Sequence, residues 1–126
     1  KQGADVPNKK GQIIENHTLT NPPKPPKSYA FCSDTLYNEK IIPIIRNTNC
    51  LYHESTFLEQ NEQLAEITKH STAKQAAIIA QKAKAKMLIL GHYSSRYESV
   101  NLFKQEAEEQ FENVILAKDG LEMVIE

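Results

Sequence analysis

Asp34, Glu54, His70 and His92 have side chains suited to metal and proton chemistry, and they fall at points where a fold could bring them together. A carboxylate and a neutral imidazole both suit zinc, and a carboxylate can bridge two metals where an imidazole cannot. A glutamate beside a second histidine raises its basicity and fixes its orientation, preparing the ring to carry a proton. His70 is followed by Ser71 and Thr72 at the start of a helix, where free N–H groups form a ready phosphate site. Arg96 offers a bidentate phosphate contact from the other side. These residue types describe metal-assisted cleavage of a phosphodiester.

Each residue also has a plainer reading. Asp34 can cap the segment that begins at Thr35, His53 reads as a satisfied core histidine, and Glu54 as a solvated loop carboxylate. His70 alone would be a surface residue, and His92 alone is evenly balanced. Their positions argue for the shared site. Asp34 follows the apolar run "AFCS", His53 and Glu54 follow "CLY", and His92 follows "LILG". In an open α/β sheet, ligands and reactive groups collect at the carboxyl ends of the strands.

The elements that must hold these residues follow from periodicity. "SYAFCSD" (28–34) and "CLYHE" (50–54) read as strands, and "KMLIL" (86–90) as a buried strand of the continuous apolar kind found inside parallel sheets. Residues 35–47 read as a helix limited by Pro43, and 56–69 as a short helix or ordered loop. Thr72 and Gln75 have capping-box spacing, ahead of a narrow stripe of Ala76, Ile79, Ala80 and Ala83 that lets a helix lie close to a sheet. Ser99 can cap a further helix carrying Phe103, Ala107 and Phe111. Two strand-like runs flank Asp119-Gly120, which predicts a closing hairpin. The order βαβ(α)αβαββ assigns the chain to the α/β class.

Composition narrows the function classes. The chain has 126 residues, 40% hydrophobic and 25% charged, with a net charge of −1. That size suits one domain, preceded by an irregular, polar, Pro-rich lead-in over 1–27; "NPPKPPK" reads as a rigid extended stretch ahead of the first sheet strand. No apolar run approaches the roughly 18 residues of a membrane helix, and the polar start resembles no signal peptide, so no membrane partner and a cytoplasmic location are expected. The charge gives no global electrostatic footprint of a dedicated nucleic-acid binder. Cys32 and Cys50 lack close ligand spacing and are expected to be free buried thiols. The chain opens on Lys1 without methionine, as expected of a processed or truncated product.

With these residues assembled, "FCSDT" (31–35), "HESTF" (53–57), "HST" (70–72) before an alanine-rich helix, and "LILGHYSSRY" (88–97) together resemble the ribonuclease Z family. That family comprises the tRNA 3′-end processing endonucleases of the metallo-β-lactamase superfamily. The resemblance runs from about Ser28 to the C-terminus and implies the C-terminal half of an αββα sandwich over 28–126. It implies that Asp34 bridges two zinc ions, that His92 is the last histidine ligand of one, and that His70 donates a proton to the leaving 3′ oxygen with Glu54 as its partner. The implied substrate is a tRNA precursor cut just 3′ of the discriminator base, by an enzyme that typically forms a homodimer.

The family's His-x-His-x-Asp-His signature is absent, as is the further histidine that normally precedes the aspartate. Two ligands cannot hold two zincs, so this chain is expected to be inactive alone and to need an N-terminal half that carries the missing motif. Half a sandwich would also leave one sheet face bare. The alternatives are another phosphodiesterase or hydrolase of the same fold, and a non-catalytic fragment or interaction module.

Overall fold

The computed structural model describes residues 3–125; Lys1 and Gln2, which open the lead-in, and Glu126, which ends the last strand-like run, lie outside the described residues. The lead-in is more ordered than its composition suggests. Strands β1 (Val6–Pro7) and β2 (Ile13–Ile14) pair antiparallel, and a short helix α1 (Asn16–Leu19) follows. The Asn8 side chain closes the hairpin by accepting from the backbone N–H groups of Lys10 and Gln12. Such side-chain mimicry of a backbone turn is what asparagine does in loops.

The body of the molecule is a four-stranded parallel sheet. Its strands β3 (Tyr29–Cys32), β4 (Cys50–Glu54), β5 (Leu88–Gly91) and β6 (Val114–Leu116) lie side by side in sequence order. Crossovers of one hand between sequential parallel strands place the connecting helices on one face. There α4 (Ala73–Ala83) packs against β4 and β5, and α5 (Asn101–Glu108) against α4 and β6. Leu51, Leu88 and Leu90 from the sheet meet Ala76, Ile79, Ala80 and Ala83 of α4 and Phe103 of α5 in one core, all fully buried. The alanine stripe does what its small residues allow, bringing helix backbone close to sheet. Cys50 is buried and Cys32 half-buried, and both are free thiols.

The opposite face alternates with this core along each strand and presents Tyr29, Phe31, Tyr52, Ile89 and Ile115. Phe31 is 63% exposed and stacks on Tyr52, with ring centroids 4.6 Å apart. Tyr52 in turn lies across Gly91, where an added Cβ would come within 2.3 Å of its hydroxyl. No helix among the described residues is long and apolar enough to cross a membrane.

Two elements depart from the sequence-based expectation and one, the stretch 56–69, meets it. The helix predicted over 35–47 is confined to a 3-10 turn at Glu39–Ile41 and a short α2 (Ile42–Ile45), with Pro43 in the first turn where its missing N–H costs nothing. The stretch 56–69 contributes α3 (Glu62–Thr68), closed by Lys69 in the left-handed conformation. The closing hairpin at Asp119-Gly120 does not form. Leu121 N–H bonds to Lys118 O at 3.0 Å, but only Gly120 takes a positive φ, 75°. A type I′ hairpin turn needs Asp119 there too, and an unprimed turn splays the segments it joins. Residues 121–125 therefore run on without strand pairing.

Candidate metal centre

Strand register brings the candidate residues together. Cys32 lies opposite His53, and Glu54 opposite Gly91, so three strands end at one level. Asp34 sits two residues beyond β3, Glu54 is the last residue of β4, and His92 is the first beyond β5. His70 arrives from the other side, in the link between α3 and α4. Asp34, Glu54, His70 and His92 each turn a ligand atom into a common space, all within 4.8 Å of one another. The His92 Nε2 to Asp34 Oδ1 distance is 3.8 Å, and the His70 and His92 rings face each other at 5.1 Å.

Backbone strain marks the same spot. Asp34 and His92 adopt φ of 48° and 61° respectively, in the left-handed region that non-glycine residues avoid. Each such residue costs on the order of 1 kcal/mol or more and persists where the surroundings over-determine it, commonly at functional sites. Here the two left-handed residues are the pair whose side chains approach to 3.8 Å.

Glu54 organises the interior of the site. Its side chain is fully buried, and its carboxylate accepts from Thr35 N at 2.8 Å, Ser71 N at 3.2 Å, Thr56 Oγ at 2.6 Å and His70 Nδ1 at 2.8 Å. Burial pushes its pKa up, but the bonds from Thr56, His70, Ser71 and Thr35 together win and hold it below the ordinary value. An ionised, acceptor-only carboxylate requires His70 to donate from Nδ1. The His70 Nε2 atom is left for chemistry.

His53, the neighbour of Glu54 in sequence, is a core histidine as expected, but only one of its ring nitrogens is satisfied. It is fully buried, and its Nδ1 donates to Glu54 O at 2.8 Å. Its Nε2 has no partner among the described residues.

The expected phosphate groups fare unequally. Ser71 and Thr72 are buried, and the Ser71 hydroxyl and both backbone N–H groups already have acceptors. The Ser71 hydroxyl donates to Thr35 O, Thr72 N–H goes to Gln75 Oε1, Ala73 N–H to Phe57 O, Lys74 N–H to Glu106 Oε1, and Gln75 N–H to Thr72 Oγ. The start of α4 is thus capped from within, and its first N–H groups go to internal acceptors rather than standing free for the phosphate expected at Ser71 and Thr72. Arg96 is exposed and lies over the Phe57 ring at 5.2 Å; Phe57 in turn meets His70 edge-on at 6.3 Å. The turn carrying Arg96 is anchored by Tyr93 and Tyr97, whose rings both pack on Phe103. Tyr97 also accepts from Leu58 N and donates to Asn61 Oδ1.

Two site residues escaped the sequence reading. Thr35 supplies the backbone N–H that meets Glu54, and Thr56 lies between Glu54 and His92. Both sit inside the quoted motifs "FCSDT" and "HESTF", which was their only signal.

As a metal site the arrangement is partial. Asp34 and His92 are 78% and 45% exposed and converge at a distance that a single cation could span. The Glu54 oxygens are taken by hydrogen bonds. A tetrahedral zinc needs four ligands, so this set fits one side of a metal centre and cannot complete two.

No family model matches the sequence. The chain is 47% identical to the ribonuclease Z of Parabacteroides distasonis over 125 residues, which is 99% of this chain and 41% of that protein. Among solved structures, the metallo-β-lactamase fold protein YhfI from Bacillus subtilis matches 74% of this chain and 38% of its own, with a TM-score of 0.69 at 26% identity. A long-form RNase Z from yeast matches 72% of this chain and 12% of its own, with a TM-score of 0.64 at 30% identity. The chain spans about two-fifths of the length of the curated relatives it matches. Motifs, strand-end geometry and both kinds of similarity agree: in sequence this chain is similar to part of ribonuclease Z, and in fold to part of metallo-β-lactamase fold proteins.

Proposed function

We propose that this chain is the proton-donor part of a zinc-dependent endoribonuclease that removes the 3′ trailer of tRNA precursors. The Glu54–His70 pair carries the reading. A buried carboxylate 2.8 Å from Nδ1 fixes the ring and leaves Nε2 free of that bond, in a ring 5.1 Å from that of His92. Asp34 and His92 would hold metal there. When bound, zinc supplies Lewis-acid stabilisation of the charge that develops on the phosphate. His70 delivers a proton from Nε2 to the leaving 3′ oxygen, and Glu54 balances the charge on the ring while it carries that proton. Arg96 steadies a neighbouring phosphate. The remaining ligands come from an N-terminal half with the His-x-His-x-Asp-His motif, in a cytoplasmic enzyme that forms a homodimer.

The test is cleavage of a 3′-extended tRNA precursor by this chain alone, and after refolding with such an N-terminal half and zinc. Activity is expected only in the mixture, and His70→Ala should lower it by roughly 10²- to 10⁴-fold. A folded mixture that leaves tRNA intact yet cleaves a small chromogenic phosphodiester would replace this reading with that of another hydrolase of the fold. Silence on both would make the chain a non-catalytic module.

A further inference from the structure

Thr56 lies between the two parts of the site. Its Oγ is 2.6 Å from Glu54 Oε2 and 2.8 Å from Nδ1 of His92. A threonine hydroxyl has one proton and two lone pairs, whereas an ionised carboxylate can only accept. The hydroxyl proton must therefore go to Glu54; otherwise a carboxylate oxygen and a hydroxyl lone pair would face each other at 2.6 Å in a buried position. With its proton committed, Oγ can only accept from His92. His92 then carries its proton on Nδ1 and keeps a lone pair on Nε2, the nitrogen 3.8 Å from Asp34 Oδ1.

Glu54 orders both histidines in this way. It takes the Nδ1 proton of His70 directly on Oε1, and it orients His92 through the Thr56 hydroxyl on Oε2. Both rings end with Nε2 as the working nitrogen, although an unconstrained neutral histidine in water prefers to carry its proton there. A ring nitrogen is set for a cation by the hydrogen bond its other nitrogen makes.

We propose that Thr56 is a positioning residue that locks His92 in the Nδ1–H tautomer, so that Nε2 is permanently available to a cation at Asp34. The role of the tautomer rests on reading His92 as a metal ligand; the tautomer itself does not.

The experiment reads the imidazole nitrogens of the full chain by two-dimensional nitrogen–proton NMR with labelled histidine. Zinc and RNA are left out, and the pH is about 8.5, roughly two units above the ordinary imidazole value. His70→Ala and His92→Ala assign the signals. In the wild type and in Thr56→Ser, His92 is expected to show an N–H type signal at Nδ1 and a lone-pair type signal at Nε2. In Thr56→Val, which keeps the shape and removes the hydroxyl, those two signals should move towards the Nε2–H pattern while His70 keeps its own. A backbone amide spectrum shows whether each variant is folded, and Thr56→Ala replaces Thr56→Val if the latter is not. An Nε2–H pattern for His92 in the wild type overturns the proposal outright, as does an unchanged pattern in a folded variant without the hydroxyl. Neither result touches the ribonuclease reading, and an inactive nuclease leaves the tautomer result standing.

Discussion

At the scale of single residues, Glu54 is where the site and the fold depend on the same atoms. Removing it in Glu54→Ala leaves Thr35 N–H, Ser71 N–H and the Thr56 hydroxyl without their acceptor in the interior. Each unsatisfied buried donor costs roughly 1–3 kcal/mol, so the variant should lose about 3 kcal/mol or more in urea denaturation, with an unchanged m-value. A loss below about 1 kcal/mol would mean that water replaces the carboxylate and that the network is not load-sharing. Glu54 and His53 also predict how stability follows pH. Desolvation holds the His53 pKa below its ordinary 6.5, outweighing the upward pull of the Glu54 carbonyl and carboxylate. As pH falls through 6.5 the unfolded chain takes that proton first, so the stabilisation present at higher pH is lost progressively below this value. The Glu54 carboxyl, held below its ordinary 4.5, adds a second loss that starts lower. Urea midpoints measured across pH should therefore fall in two stages. His53→Leu should remove the upper stage and keep the lower; an unaltered upper stage would assign that slope to other groups.

At the scale of elements, helix α4 shows what the sequence discloses and what it withholds. Its cap was legible because both partners are local: Thr72 Oγ accepts from Gln75 N, and Gln75 returns a bond to Thr72 N. Thr72→Ala should cost about 1 kcal/mol, within the 0.5–2 kcal/mol range of such caps, readable as a fall in the thermal midpoint; no change would mean that the helix start is held by Phe57 and Glu106 alone. The strand ends were legible for a similar reason, since an apolar run closing in Asp, Glu or His needs only the chain itself. The spent donors of α4 were not legible, because Glu106 and Phe57 reach them from elements distant in sequence. Thr56 was hidden in the same way: its meaning depends on His92, 36 residues on. The C-terminal hairpin was misread because Asp-Gly suits several turn types, and only the φ of Asp119 decides among them. The hairpin near Asn8 went unread because its strands are two residues each, too short for any alternation to register.

At the scale of the whole molecule, the sheet is covered by helices on one face, while Tyr29 and Phe31 stand 52% and 63% exposed on the other. The two are alternate residues of β3, an edge strand, so they present a continuous apolar border. Burying apolar surface returns roughly 25 cal/mol per Å², and a net charge of −1 offers little repulsion between copies. The isolated chain should therefore self-associate through this face, seen as an apparent mass in light scattering that rises with concentration. Phe31→Glu places a charge at the centre of the border without touching the core behind it, and should shift the population towards monomer while leaving the circular dichroism unchanged. A refolding partner that completes the sandwich competes for the same face, so its addition should dissolve the self-association of the wild type and bind Phe31→Glu more weakly. A wild-type chain that stays monomeric at high concentration would mean that the stacking of Phe31 on Tyr52 already satisfies this face, and the case for a missing half would then rest on the metal ligands alone.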